Sequence, residues 1–342
     1  ARTPIGFLSF HREVISVYIA KFKPGLAPGP MANTSPPYQA AIAADGTWVP
    51  LVFGSRAASS AIYDPLRGRM LVFAGLDENE EYNWVWALPL SGPAVWTPLV
   101  TPGVSPSPRD GCAQIYDPVR DRLIIFGGFD VTGDRNDVWA LSLTGTPTWT
   151  ALAPGGTPPT ARNNARAIYD AARDRMVVFA GSGAAFDNDT WALSLSGSPA
   201  WTQITPTGTP PPARDTHSAI YDAAGDRMLI FGGYNGNIQP FLDVWELTFA
   251  GSPAWHQITP AGPPIPGRAS HSAIYDASRS RMVVFGGYSG TVAGAFMNDT
   301  WALSLTGTPT WSALSPAGTP PDPRSDHVAI LDDRDPERPF RL

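Results

Sequence analysis

The chain has 342 residues, a formal net charge of -6, 43% hydrophobic and 16% charged residues, and one cysteine. This is enough apolar material for one large core or two ordinary ones; acids and bases intermixed along an acidic chain argue against nucleic acid or an anionic membrane as partner, and a lone cysteine excludes an internal disulfide framework. No apolar run approaches a membrane span and no signal-peptide pattern is recognisable, so a soluble protein is expected, with its compartment left open.

Residues 1–30 fit no later pattern and precede Met31, so they are expected to be a leader or non-native extension, with a single domain over 31–342. The other reading makes Val14 to Phe22 a genuine alternating strand at a domain edge. Tyr38 to Ala44 and Thr47 to Phe53, separated by a tight turn at Asp45-Gly46, read as the third and fourth strands of a unit that recurs through the rest of the chain.

Complete units follow at about 56–108, 109–161, 162–213, 214–267 and 268–323. Their regularity is plain in the aspartates that close the first strand, Asp64, Asp117, Asp170, Asp222, Asp276 and Asp332, at steps of 53, 53, 52, 54 and 56 residues. Each unit holds a short apolar run ending on this Asp, a second run ending on a small-residue turn, an alternating strand carrying Trp, and a fourth strand opened by Trp. Four short antiparallel strands repeated at this period predict an all-β propeller. After Arg324 only His327 to Leu331 is a clear strand; paired with the two N-terminal strands it predicts six blades, the last shared between the chain's two ends.

The strands Arg268-Ala-Ser-His-Ser-Ala273, Arg281-Met-Val-Val-Phe-Gly-Gly287 and Asn298-Asp-Thr-Trp301, with the closing Trp311, resemble kelch repeats of the form also found in the central domain of galactose oxidase. The resemblance covers roughly 38–342 and implies that the loops before the first strands and after the Gly-Gly turns open on one face, around a central channel. It implies less about activity, because such propellers include scaffolds, peptide binders and a copper enzyme. The copper-radical residues of galactose oxidase are not matched, since Cys112 has no evident tyrosine partner.

Residues needed by the fold recur in every unit, so function is sought where the units differ. The repeated Trp residues and the acids before the third-strand Trp, Asp137, Asp189, Asp243 and Asp299, are read as scaffold, the acids as acceptors for loop amides. Three of the five histidines, His217, His271 and His327, occupy one repeat position in consecutive units, with Asp215 and Asp326 beside them. Imidazoles with carboxylates suit zinc, manganese or iron, as one ion or several side by side, so these five residues form the expected metal set. Asp110, Asp215 and Asp326 would serve as ligands or base, Arg162 and Arg214 would lie near a leaving oxygen, and Phe129, Tyr234 and Tyr288 would line a substrate wall. A metal-dependent hydrolase of a small ester or phosphoester is the expectation, monomeric and bacterial. Two alternatives stand beside it: histidines bonded to a neighbouring blade, and a propeller that binds a peptide, protein or glycan without chemistry.

Overall fold

The computed structural model describes residues 39–40, 57–77, 80–237, 239–290, 296–316 and 320–331. Five four-stranded antiparallel sheets follow one another, each with its strands in chain order. Their first strands are Ser60–Asp64, Ala113–Asp117, Arg166–Asp170, Ser218–Asp222 and Ser272–Asp276, and neighbouring first strands lie side by side around an axis. The second strands, such as Arg122–Phe126 and Arg227–Phe231, are buried on both faces, which is why the sequence there is a continuous apolar run rather than an alternation.

Packing between blades explains the periodic aromatics. Phe73, Phe126, Phe179 and Phe231 each meet the fourth-strand Trp of the next blade, Trp149, Trp201, Trp255 and Trp311, at ring centroid distances of 5.0, 4.9, 4.8 and 5.1 Å. These tilted or edge-on contacts sit within apolar clusters that alternate with the sheets, so the core is a set of wedges between blades and not one central mass. The small-residue turns after the second strands are required sterically. A Cβ on Gly128, whose φ is 98°, would lie 2.6 Å from the Asp110 carbonyl and 2.7 Å from Cys112 Sγ.

The acids before the third-strand Trp do not bind loop amides. Asp137, Asp189, Asp243 and Asp299 each accept from a buried arginine of the preceding loop and from the indole two residues on. The acids closing the first strands do accept loop amides, as Asp117 does from Arg120, and also the guanidinium that opens the second strand.

The expected six blades, with the sixth shared between the termini, are corrected to five arranged radially. Among the described residues no sheet is built from both ends of the chain: Gln39–Ala40 pairs instead with Ala94–Val95 beside the first blade. His327 to Leu331 forms no sheet with an N-terminal strand among these residues. Its side chains meet two blades, with Val328 and Ile330 against Met70, Val72 and Leu88 of the first, and Ala329 and Leu331 against Ile274 and Val283 of the fifth. Spacing along the chain counts apolar runs and turns, but which runs share a sheet depends on contacts between distant segments that no local pattern carries. The expectations for 1–30 and for Thr47 to Phe53 fall outside the described residues, and no helix among those described is long and apolar enough to cross a membrane.

Candidate functional site at the channel mouth

Six short loop windows precede the first strands and a hydrogen-bonded belt joins them. Gly111, Asn164, Thr216, Ser270 and Asp326 donate their backbone N–H to Ala58, Gly111, Asn164, Thr216 and Ser270 respectively, at 3.1, 2.8, 3.4, 2.9 and 2.8 Å. All six residues have left-handed backbone, with φ of 50 to 61°, although only one is glycine. For Thr216, β-branched, that conformation is costly and persists because the belt imposes it. In the first five windows the residue before the belt position pairs with the residue after the second-strand turn, joining Ala57 to Leu76, Asp110 to Phe129, Asn163 to Ser182, Asp215 to Tyr234 and Ala269 to Tyr288. Windows and turn loops thus share one end of the channel, as the resemblance implied.

Around this mouth the chain places short polar groups. Asp215 is nearly buried and accepts from Ser182 Oγ at 2.8 Å and Thr216 Oγ1 at 3.1 Å. Burial nevertheless holds its carboxyl above the ordinary range. Ser325 donates to Asp326 at 2.7 Å, and Asn164 donates to the side-chain carbonyl of Asn163 at 2.7 Å. Phe129 is 41% exposed, while Tyr234 and Tyr288 are half-buried, the latter tilted against Phe296 at a ring centroid distance of 5.8 Å. Asp110 is half-buried and pairs through its backbone with Phe129 at 2.9 and 3.0 Å.

The structure separates the other predicted site residues from this mouth. Arg162 is fully buried with its guanidinium spent on the Thr160 carbonyl and hydroxyl, the Ala180 carbonyl and both oxygens of Asp189. Arg214 likewise grips Asp243 at 2.6 and 2.8 Å and lies 4.0 Å from the Phe241 ring centroid. Neither has a face turned to the channel water. These arginines tie a window to the third strand of its own blade, a duty their presence in every unit reflects.

The histidines are turned into the blade interfaces. His217, His271 and His327 stand edge-on to Phe179, Phe231 and Phe285 at 5.4, 5.1 and 5.2 Å. His271 Nε2 lies 2.8 Å from Ser218 Oγ, and His327 Nε2 lies 2.9 Å from Ser272 Oγ, so each pairs with the neighbouring blade. Burial, reinforced by nearby arginines, keeps all three imidazoles neutral, with His327 titrating at about 3. Among the described residues no three His, Cys, Asp or Glu side chains come together in a way that would hold a metal ion, so the expected donor set His217, His271, His327, Asp215 and Asp326 does not assemble there.

One channel residue escaped the sequence reading. Arg166 follows the third window, where the other units carry Ser60, Ala113, Ser218, Ser272 and Val328. Its Nε donates to the His217 carbonyl at 2.8 Å, and burial pulls its pKa down while Asp326 and Asp215 act in the opposite sense. The signal in the sequence is a break in the repeat, one residue after the position that holds the three histidines.

The KLHDC2/KLHL20/DRC7 Kelch-repeats domain matches residues 47–208 and 187–335. The chain is 33% identical over 188 residues to the leucine-zipper-like transcriptional regulator 1 homolog of Drosophila melanogaster, an alignment covering 53% of this chain and 18% of that protein. It is 32% identical over 214 residues to putative adagio-like protein 2 of Oryza sativa subsp. japonica, covering 60% and 32%. With Kelch domain-containing protein 3 of Homo sapiens it shares 30% over 234 residues, covering 64% and 58%. The chain therefore spans less than two thirds of each of these relatives. They come from an insect, a plant and a mammal, which corrects the expectation of a bacterial protein. The matches carry the kelch repeat itself and not the narrower likeness to galactose oxidase; with five repeated blades and a family match over most of its length, the chain belongs to the kelch-repeat β-propellers.

Proposed function

We propose that this propeller is a binding module that takes a segment of another protein at the channel mouth, without chemistry of its own. The observation that carries the reading is the division of labour at that end of the molecule. The groups hydrolysis would need, Arg162, Arg214 and the three histidines, are committed to blade packing, whereas the mouth itself offers short polar side chains rimmed by Phe129, Tyr234 and Tyr288. Aromatic rings beside adaptable hydrogen-bonding groups suit peptide recognition, since rings supply contact area at low entropic cost.

The test is selection of peptides from a random display library against the immobilised chain, followed by titration of labelled peptides in solution. Tyr234→Ala and Tyr288→Ala are expected to weaken binding by about tenfold or more, a hot-spot loss, and chelator is expected to change nothing. Peptides that bind both variants as well as the parent would remove the mouth from the account. An ester or phosphoester hydrolysis abolished by chelation and restored by zinc, manganese or iron would replace this reading with the metal-dependent hydrolase.

A further inference from the structure

Arg166 sits where the other units place Ser, Ala or Val, and its presence alters both sides of the interface. In the two following blades the first-strand serine meets the neighbour's histidine; here the serine is missing, and neither nitrogen of His217 has a hydrogen-bond partner among the described residues. The guanidinium uses only Nε, on the His217 carbonyl. Its Nη1 and Nη2 form no hydrogen bond and no ion pair among the described residues, and the side chain is only half-buried, so the fork is reachable from solvent. An unpaired guanidinium fork that solvent reaches can take a planar anionic group without first breaking an internal ion pair.

The surroundings define what that something is. Asp215 stands in the next window and Asp326 three windows on, both near enough to act on Arg166 electrostatically and neither in contact with it. A simple anion would meet two carboxylates, and a simple cation would leave the guanidinium bare. A ligand carrying both charges satisfies all three groups, with a planar carboxylate matching the Nη1 and Nη2 fork and an ammonium donating to the acids.

We propose that the channel beside Arg166, Asp215 and Asp326 binds a small zwitterion of the α-amino acid class. The proposal stands apart from peptide capture at the rim, which depends on Tyr234 and Tyr288. It is tested on the full chain by calorimetric titration and thermal melting with each common α-amino acid, with acetate and methylammonium as single-charge controls at equal ionic strength. At least one amino acid is expected to bind and raise the melting temperature in a dose-dependent way, while acetate and methylammonium do not. Arg166→Gln, which keeps a donor for the His217 carbonyl, is expected to weaken that binding at least tenfold, and Arg166→Lys to weaken it less. Asp326→Asn, at a half-buried position, is expected to weaken it as well and serves if the arginine variants do not fold. Acetate binding as tightly as the best amino acid, no binding by any amino acid, or undiminished binding in Arg166→Gln or Asp326→Asn overturns the proposal.

Discussion

A buried imidazole that pairs with a serine hydroxyl is a fold-stabilising group with a pH signature. His327 is enclosed by the fifth blade and bonded to Ser272, and burial, with Arg324 adding to it, lowers its pKa to about 3. The unfolded chain takes up a proton near the ordinary value of about 6.5 that the folded chain refuses. Its contribution is therefore fully present above about pH 6.5 and is lost as pH falls toward about 3, because the unfolded state binds more protons in that window. His217 and His271 shift in the same direction. Denaturant midpoints measured from pH 7 to 4.5 are expected to fall steadily, and His327→Gln to remove up to about 1.4 kcal/mol per pH unit of that slope. A slope unchanged in the variant would show that the imidazole is accessible to protons in the native state.

Between elements, the end of the propeller opposite the mouth is stitched by a repeated ion pair with one gap. Arg67, Arg120 and Arg173 each bind the aspartate of their own first strand and reach Asp121, Asp174 and Asp226 of the next blade, with shortest distances of 2.6, 2.6 and 2.7 Å. From the fourth blade to the fifth both partners are replaced, the arginine by Gly225 and the aspartate by Ser280. Arg227 covers the junction instead, donating to the Leu305 carbonyl at 3.1 Å and to Glu246 at 2.6 Å. Ser280 has φ 45°, matching the 46° of the three aspartates, whereas a Cβ on Gly225 would come within 2.7 Å of Arg227 Nε and 2.8 Å of Asp222 Oδ2, so the single Gly225→Arg must shift that pair at a cost the cycle subtracts. The double variant Gly225→Arg with Ser280→Asp is expected to gain about 0.5–1 kcal/mol over the sum of the singles, the scale of a partly exposed bidentate pair. A thermodynamic cycle by urea denaturation reads the coupling directly, and a value of zero would mean that the geometry of the other junctions is not reproduced here.

For the whole molecule the decisive question is how the last blade meets the first. Val328 and Ile330 carry the chain's C-terminal segment onto the first blade, while Ala329 and Leu331 hold the fifth, so alternate residues of this one segment touch both sides. Ile330 is buried against Met70, Val72, Leu88 and Leu90. Ile330→Ala is expected to cost about 2–4 kcal/mol, the range for a truncated core isoleucine, and to expose the first blade to limited proteolysis before the third. Equal cleavage of both blades would show that the segment adds nothing specific to ring closure.

The sequence by itself determined the repeating unit, its four strands and the propeller architecture, because a 52 to 56 residue period of apolar runs, turns and Trp residues has few ways to bury its hydrophobic faces. It also marked the mouth loops, since Phe129, Tyr234 and Tyr288 fall where the units diverge. Blade number and closure required the tertiary structure, because the alternation of His327 to Leu331 does not say which blades its two faces meet. The same holds for side-chain roles. His217, His271 and His327 share a repeat position compatible with converging on the axis or turning into an interface, and only the packing against Phe179, Phe231 and Phe285 fixed the second orientation. Arg162 looked available until Asp189 was seen to hold it, and Arg166 looked unremarkable until the belt placed it beside the channel facing Asp215 and Asp326. Residue order fixes which groups recur, whereas the charge partner of a group in a closed ring comes from a window on another blade, a distance in sequence that no local pattern encodes.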